Sequence, residues 1–206
     1  MPRAKVSRKS TSIDMTAMCD VSFLLLTFFI LTATARQPDP LEVSIPSSTY
    51  VTKVPDENNA ILSIGKGKVF FEVAGQNVRE NALRRMGEKY SITFTPEEVK
   101  RFSVIGSFGV PIENLKKFIA MSSEERSKTN IQTGIPLDSL NNQLNEWIFQ
   151  ARYAVKELNG VDMRVSIKGD SKEEYPAVKK VVDILQKQKL NKFLLITSSE
   201  GGAPKE

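Results

Sequence analysis

Histidine is absent from this chain, and cysteine occurs once, at Cys19. A single cysteine excludes an internal disulfide, and without histidine there is no donor set for a structural zinc site. No metal and no cofactor are expected. Glycine-rich phosphate loops are missing too, as is any nucleophile paired with a base, so the sequence does not read as an enzyme. Long apolar runs are equally scarce. The only one is VSFLLLTFFIL at residues 21–31; everything after Arg36 alternates as a soluble protein does. The net charge of +5 invites a nucleic-acid reading. Its placement argues otherwise, because Arg3, Lys5, Arg8 and Lys9 all stand just before the apolar run, as basic residues do on the cytoplasmic side of a membrane segment.

From Met15 to Ala35 the chain reads MTAMCDVSFLLLTFFILTATA. As a helix this stretch is about 31 Å long, roughly the thickness of a bilayer core. A buried core helix would need a second apolar element around it, and none exists. A cleavable signal peptide is the sharper rival, since Ala33-Thr34-Ala35 precedes Arg36. The long basic arm and the acid inside the span favour an uncleaved anchor. Four basic residues lie before the span and only Arg36 follows it closely. The positive-inside bias therefore puts the N-terminus in the cytoplasm and the rest in the periplasm of a two-membrane bacterium.

That acid is Asp20. A carboxylate in the membrane costs about 2.5–3.5 kcal/mol when central and less near the interface. It is expected to face a protein interior or a wet path, where desolvation favours the neutral acid and brings both protonation states within reach. Proton transfer is the role expected of it; a snorkelling surface residue is the bland alternative. At about 100° per residue, Thr16, Thr27 and Thr34 lie near the same stripe, which implies a partner helix or a water-filled path.

The sequence Ile13-Asp14-Met15-Thr16, then Asp20-Val21 and a Leu/Phe-rich run ending in Thr-Ala, resembles the start of the ExbD/TolR family of proton-channel subunits. Leu41 to Ser48 (LEVSIPSS) resembles that family's post-membrane linker, and Ile61–Val73 its first strand pair. Val161–Thr197 is similar to its last strand–helix–strand unit, including Gly169-Asp170 and Tyr175. The resemblance implies a motor component: a homodimer inside a ring of a multi-helix ExbB/TolQ-like subunit. Proton passage at Asp20 would drive a TonB-like or Tol-type partner, with peptidoglycan as a further possible contact. Ala17 stands where the family commonly has proline, and residues 82–158 form a longer middle section than the compact family domain.

The expected organisation is a basic arm (1–14), a transmembrane helix (15–35), an extended linker (36–58), an α+β periplasmic domain (59–198) and a disordered tail (199–206). The fold class is thus a single N-terminal transmembrane α-helix followed by a small α+β domain, a mixed sheet with helices on one side. In the linker, Leu41, Val43, Ile45, Pro46 and Ser47 are candidates for strand-type docking to a partner, with a plain tether as the alternative. Strands are expected at 60–65 and 68–73 around Gly65-Lys66-Gly67, and a capped helix from Thr95-Pro96-Glu97-Glu98. Apolar spacing predicts helices over 79–90, 112–121, 136–158 and 172–189, and strands over 162–167 and 193–197. Phe94, Phe102, Phe108 and Phe118 are expected in the core. Two functions compete: a transducer of the proton motive force, and a passively anchored binding protein.

Overall fold

The computed structural model describes residues 15–32, 44–48, 54–128, 131–138, 141–170 and 175–199. They fall into two units, Met1–Gln37 and Pro38–Glu206. The first holds one helix, α1 (Met15–Thr32), which contains neither glycine nor proline to interrupt it. Its 18 residues have a mean hydropathy of 1.9, and none is buried against the rest of the chain. It is long and apolar enough to cross a membrane. Residues 33–35, expected to complete the span, lie outside the described residues, as do the basic arm and the tail from residue 200.

The second unit is built on a mixed sheet of β2 (Asn59–Gly65), β3 (Lys68–Val73), β4 (Arg164–Gly169) and β5 (Leu194–Leu195), in the order β3-β2-β4-β5. The β2–β3 hairpin turns through Lys66 and Gly67, both at positive φ (53° and 69°), the left-handed pair that a two-residue hairpin requires. Strand β2 then pairs parallel with β4, and β4 with β5. Alternation sorts the sheet's faces. Ala60, Leu62, Ile64, Val69, Phe71, Val165 and Ile167 point to one side and join the helices in a single apolar cluster.

The long middle section supplies most of those helices: α2 (Gln76–Tyr90), α3 (Pro96–Ser103), α4 (Ile112–Ala120), α5 (Ser123–Arg126) and α6 (Gln143–Asn159). Thr95 accepts from the Glu98 amide while Glu98 reaches back to the Thr95 amide, a capping box that starts α3. Phe102, Phe108 and Phe118 are buried as expected, with Phe94 packed at the margin. Trp147 lies at their centre, its ring centroid 4.9 Å from Phe108, 5.9 Å from Phe102 and 6.3 Å from Phe71.

This section also covers the outer edge of the sheet. Phe71 and Phe108 exchange both backbone hydrogen bonds (2.8 and 3.0 Å), and the Ile135 amide donates to the Val69 carbonyl at 2.9 Å. An open β3 edge would offer unpaired backbone groups to other chains; here the insertion takes them. Gly109 is required where it crosses, because a Cβ there would lie 2.5 Å from the Phe70 ring. Arg79 of α2 ties the layers together. Its Nε donates to Val73 O at 2.9 Å, and its Nη1 to Ser103 O and Ile105 O at 2.8 Å each. Helices α2 and α6 are clamped by Arg85, which pairs with Glu157 at 2.8 Å and lies 4.1 Å over the Tyr153 ring. Hydrogen bonds from Arg85 and Asn81 hold the Glu157 carboxyl below the usual carboxylate range.

Several boundaries differ from expectation. Helix α6 starts at Gln143 rather than 136, because Asn142 caps it and residues 131–138 are held extended beside β3 by the Ile135–Val69 bond. Leu158, expected on its buried face, is 45% exposed. The strand expected at 162–167 runs 164–169, in register with β2. Helix α7 (Tyr175–Lys187) ends two residues before the expected 189, while 172–174, where it was expected to begin, lie outside the described residues; it buries Val181, Ile184 and Leu185, with Val178 and Val182 half-buried. The strand expected at 193–197 splits into β5 and a separate β6 (Ser198–Ser199), so Ser199 belongs to a strand and not to a tail.

Removing the Arg79 guanidinium leaves three carbonyls without their charged donor, and hydrogen bonds to charged groups contribute about 1.5–3 kcal/mol. Arg79→Met should therefore lower stability by about 2–3 kcal/mol in urea unfolding followed by Trp147 fluorescence. A loss below about 0.5 kcal/mol would contradict the clamp.

Candidate functional site

Along α1 three hydroxyls are satisfied by the helix itself. Ser22 Oγ donates to Met18 O at 2.8 Å, Thr27 Oγ1 to Leu24 O at 2.9 Å, and Thr32 Oγ1 to Phe28 O at 2.8 Å. Such back-bonding makes a hydroxyl compatible with an apolar setting. Asp20 has no equivalent arrangement. It is exposed, is the only charged side chain in α1, and among the described residues no hydrogen bond or ion pair reaches its carboxyl.

The expected threonine stripe is only partly a stripe. Thr16 and Thr27 lie within about 40° of Asp20 by helical rotation, yet Leu24 and Leu31 occupy the same sector, and Ser22 and Thr32 lie well away from it. Thr34 is outside the described residues. The acid's sector is thus shared by hydroxyl and leucine side chains, and its one charge is what distinguishes this face of the helix from the others.

The linker contributes a second feature. Ile45 is half-buried and Pro46 exposed, and they lead into β1 (Ser47–Ser48). This strand pairs parallel with β6, Ser47 opposite Ser198 and Ser48 opposite Ser199. Of the linker residues singled out, Ile45, Pro46 and Ser47 therefore lie in or beside a real strand pairing, made with this chain's own C-terminal segment. Leu41 and Val43 are outside the described residues. The partner strand was not foreseen; its one visible signal is the unbroken run Leu194-Leu195-Ile196-Thr197 leading into Ser198. Among the described residues no three His, Cys, Asp or Glu side chains gather as metal ligands.

A single membrane-length helix bearing one acid, a linker strand, and a mixed sheet with helices define a class of membrane-anchored α+β proteins. Residues 7–200, nearly the whole chain, match the family described as "Biopolymer transport protein ExbD/TolR". The protein belongs to the ExbD/TolR family. Comparison with curated proteins and with solved structures returns no match. Membership makes it a subunit of biopolymer-transport energisation, in a family whose members are not enzymes and work with ExbB/TolQ-type subunits.

Pairing of β1 with β6 has a direct consequence for amide exchange. In the full-length chain in detergent micelles, peptides spanning residues 44–48 and 196–199 should exchange more slowly than the 54–58 turn. Equal, coil-like rates in all three would contradict the pairing.

Proposed function

We propose that this chain is the proton-carrying subunit of an inner-membrane motor. Its N-terminus lies in the cytoplasm and its α+β domain in the periplasm. The observation that carries the reading is Asp20, the one charged group of α1, to which no hydrogen bond or ion pair is made among the described residues. An acid placed there costs about 2.5–3.5 kcal/mol if it stays ionised at the centre of the span, and such residues mark proton relays when they face a wet interior.

The chain works as a homodimer whose two α1 helices sit within a ring of an ExbB/TolQ-like multi-helix subunit. That ring supplies the groups that accept and release the Asp20 proton. The even apolar surface of α1 suits a helix surrounded by others. Moving one charge across 100 mV yields about 2.3 kcal/mol, enough to bias a packed helix between two arrangements. The periplasmic domain and linker pass that change to a TonB-like or Tol-type partner, energising outer-membrane transport or envelope maintenance. Ile45, Pro46 and Ser47 form the linker's docking segment, and contact with peptidoglycan gives the domain a fixed point to act against.

Asp20→Asn should abolish energised transport while insertion and abundance stay normal. A passive anchor would tolerate the change, so full activity in that variant would sink the motor reading. Thr27→Val should behave differently. Its hydroxyl is already bonded within the helix, so activity close to wild type is expected, and a loss as deep as that of Asp20→Asn would restore a proton-path role to Thr27.

A further inference from the structure

Helices α3, α4 and α5 of the middle section surround a concave patch of about 340 Å³. Arg101, in the last turn of α3, and Arg126, the last residue of α5, both line it. Val104, Ile119 and Met121 line the space with them. Val104 is 50% exposed, so the patch carries an apolar surface open to solvent.

The charge at this patch is one-sided. Arg126 is half-buried and lies 5.9 Å from the Phe118 ring. Burial, and after it the charge of Arg101, draw its guanidinium below the ordinary arginine range. Among the described residues neither arginine is ion-paired. The lack of a counter-ion is not for want of acids nearby. Glu98 Oε2 is turned to the Thr95 amide at 2.8 Å, and Glu125 Oε2 to the Ser122 amide at 2.9 Å. Both carboxylates are engaged in capping their own helices, and the two guanidiniums are the charged groups that line the patch.

Two like charges held close together cost free energy that an external anion recovers. Guanidiniums take carboxylates in paired, charge-assisted hydrogen bonds. An inorganic anion would use the cations and leave Val104 and Met121 uncovered. A peptide with two acids flanking an apolar side chain uses all of the patch. We propose that this cleft of the middle section docks an acidic peptide segment of a partner protein. Its carboxylates meet Arg101 and Arg126, and its apolar side chain covers Val104 and Met121. The cleft and the Asp20 reading share no residue, so the two readings fail separately.

The test is a titration of the full-length chain in detergent micelles, followed by the arginine Nε–Hε resonances and backbone amides. The probe is acetyl-Glu-Leu-Glu-amide, with acetyl-Gln-Leu-Gln-amide and inorganic phosphate as comparisons. Saturable shifts confined to the cleft are expected with the acidic peptide, at least about tenfold tighter than with either comparison. Arg126→Gln should abolish them. Because Arg126 also packs on Phe118, the exposed Arg101→Gln is the safer variant. It should weaken binding at least about fivefold while melting no lower than the wild type at low salt, since it removes the repulsion. Equal affinity for the glutamine peptide or for phosphate would overturn the proposal, and so would unchanged binding in Arg101→Gln.

Discussion

An acid that its own helix cannot satisfy sets the terms for this protein. Every hydroxyl described in α1 with a resolved bond turns back onto a backbone carbonyl, as Ser22, Thr27 and Thr32 do. Aspartate is too short to reach water from within a span and has no such bond available. In a bilayer such an acid is favoured neutral or solvated by a polar group. The proposed proton carrier would move between those two states, and the chain's place as a subunit rests on its ExbD/TolR family membership.

The α+β domain faces a different constraint. An insertion of some length has been fitted onto a small sheet so that the β3 edge is covered. It does so by running Phe108 and Ile135 alongside β3, and by packing Trp147 and Phe102 beneath Phe71. Arg79 joins sheet, α2 and α3 through three carbonyls. The linker strand β1 pairs instead with β6, in a two-stranded sheet separate from the main one. The middle section also brings the Arg101–Arg126 cleft as a surface of its own.

Local chemistry made much of this legible in the sequence. Gly65-Lys66-Gly67 marks a hairpin because the turn needs positive φ, and Thr95 with Glu98 marks a helix start because both ends of the capping box are present. Asp20 stood out because charge is costly in an apolar run. What escaped was set by contacts distant in sequence. Apolar spacing carried a helix back to Pro136, yet Ile135 is pinned beside β3 and Asn142 starts the helix instead. The β1–β6 pair is two serines against two serines, residues with no strand pattern to read. The arginine cleft has no local signal, because Arg101 and Arg126 stand on different helices, 25 positions apart, and only the fold brings them to one cleft.

The central claim is that protons pass by way of Asp20. It is tested most directly by reconstituting the chain with its multi-helix membrane partner in liposomes and following internal pH after an imposed gradient. The wild-type complex should dissipate the gradient, and a complex carrying Asp20→Asn, assembled to the same stoichiometry, should hold it. Equal proton flux through both complexes would contradict the account.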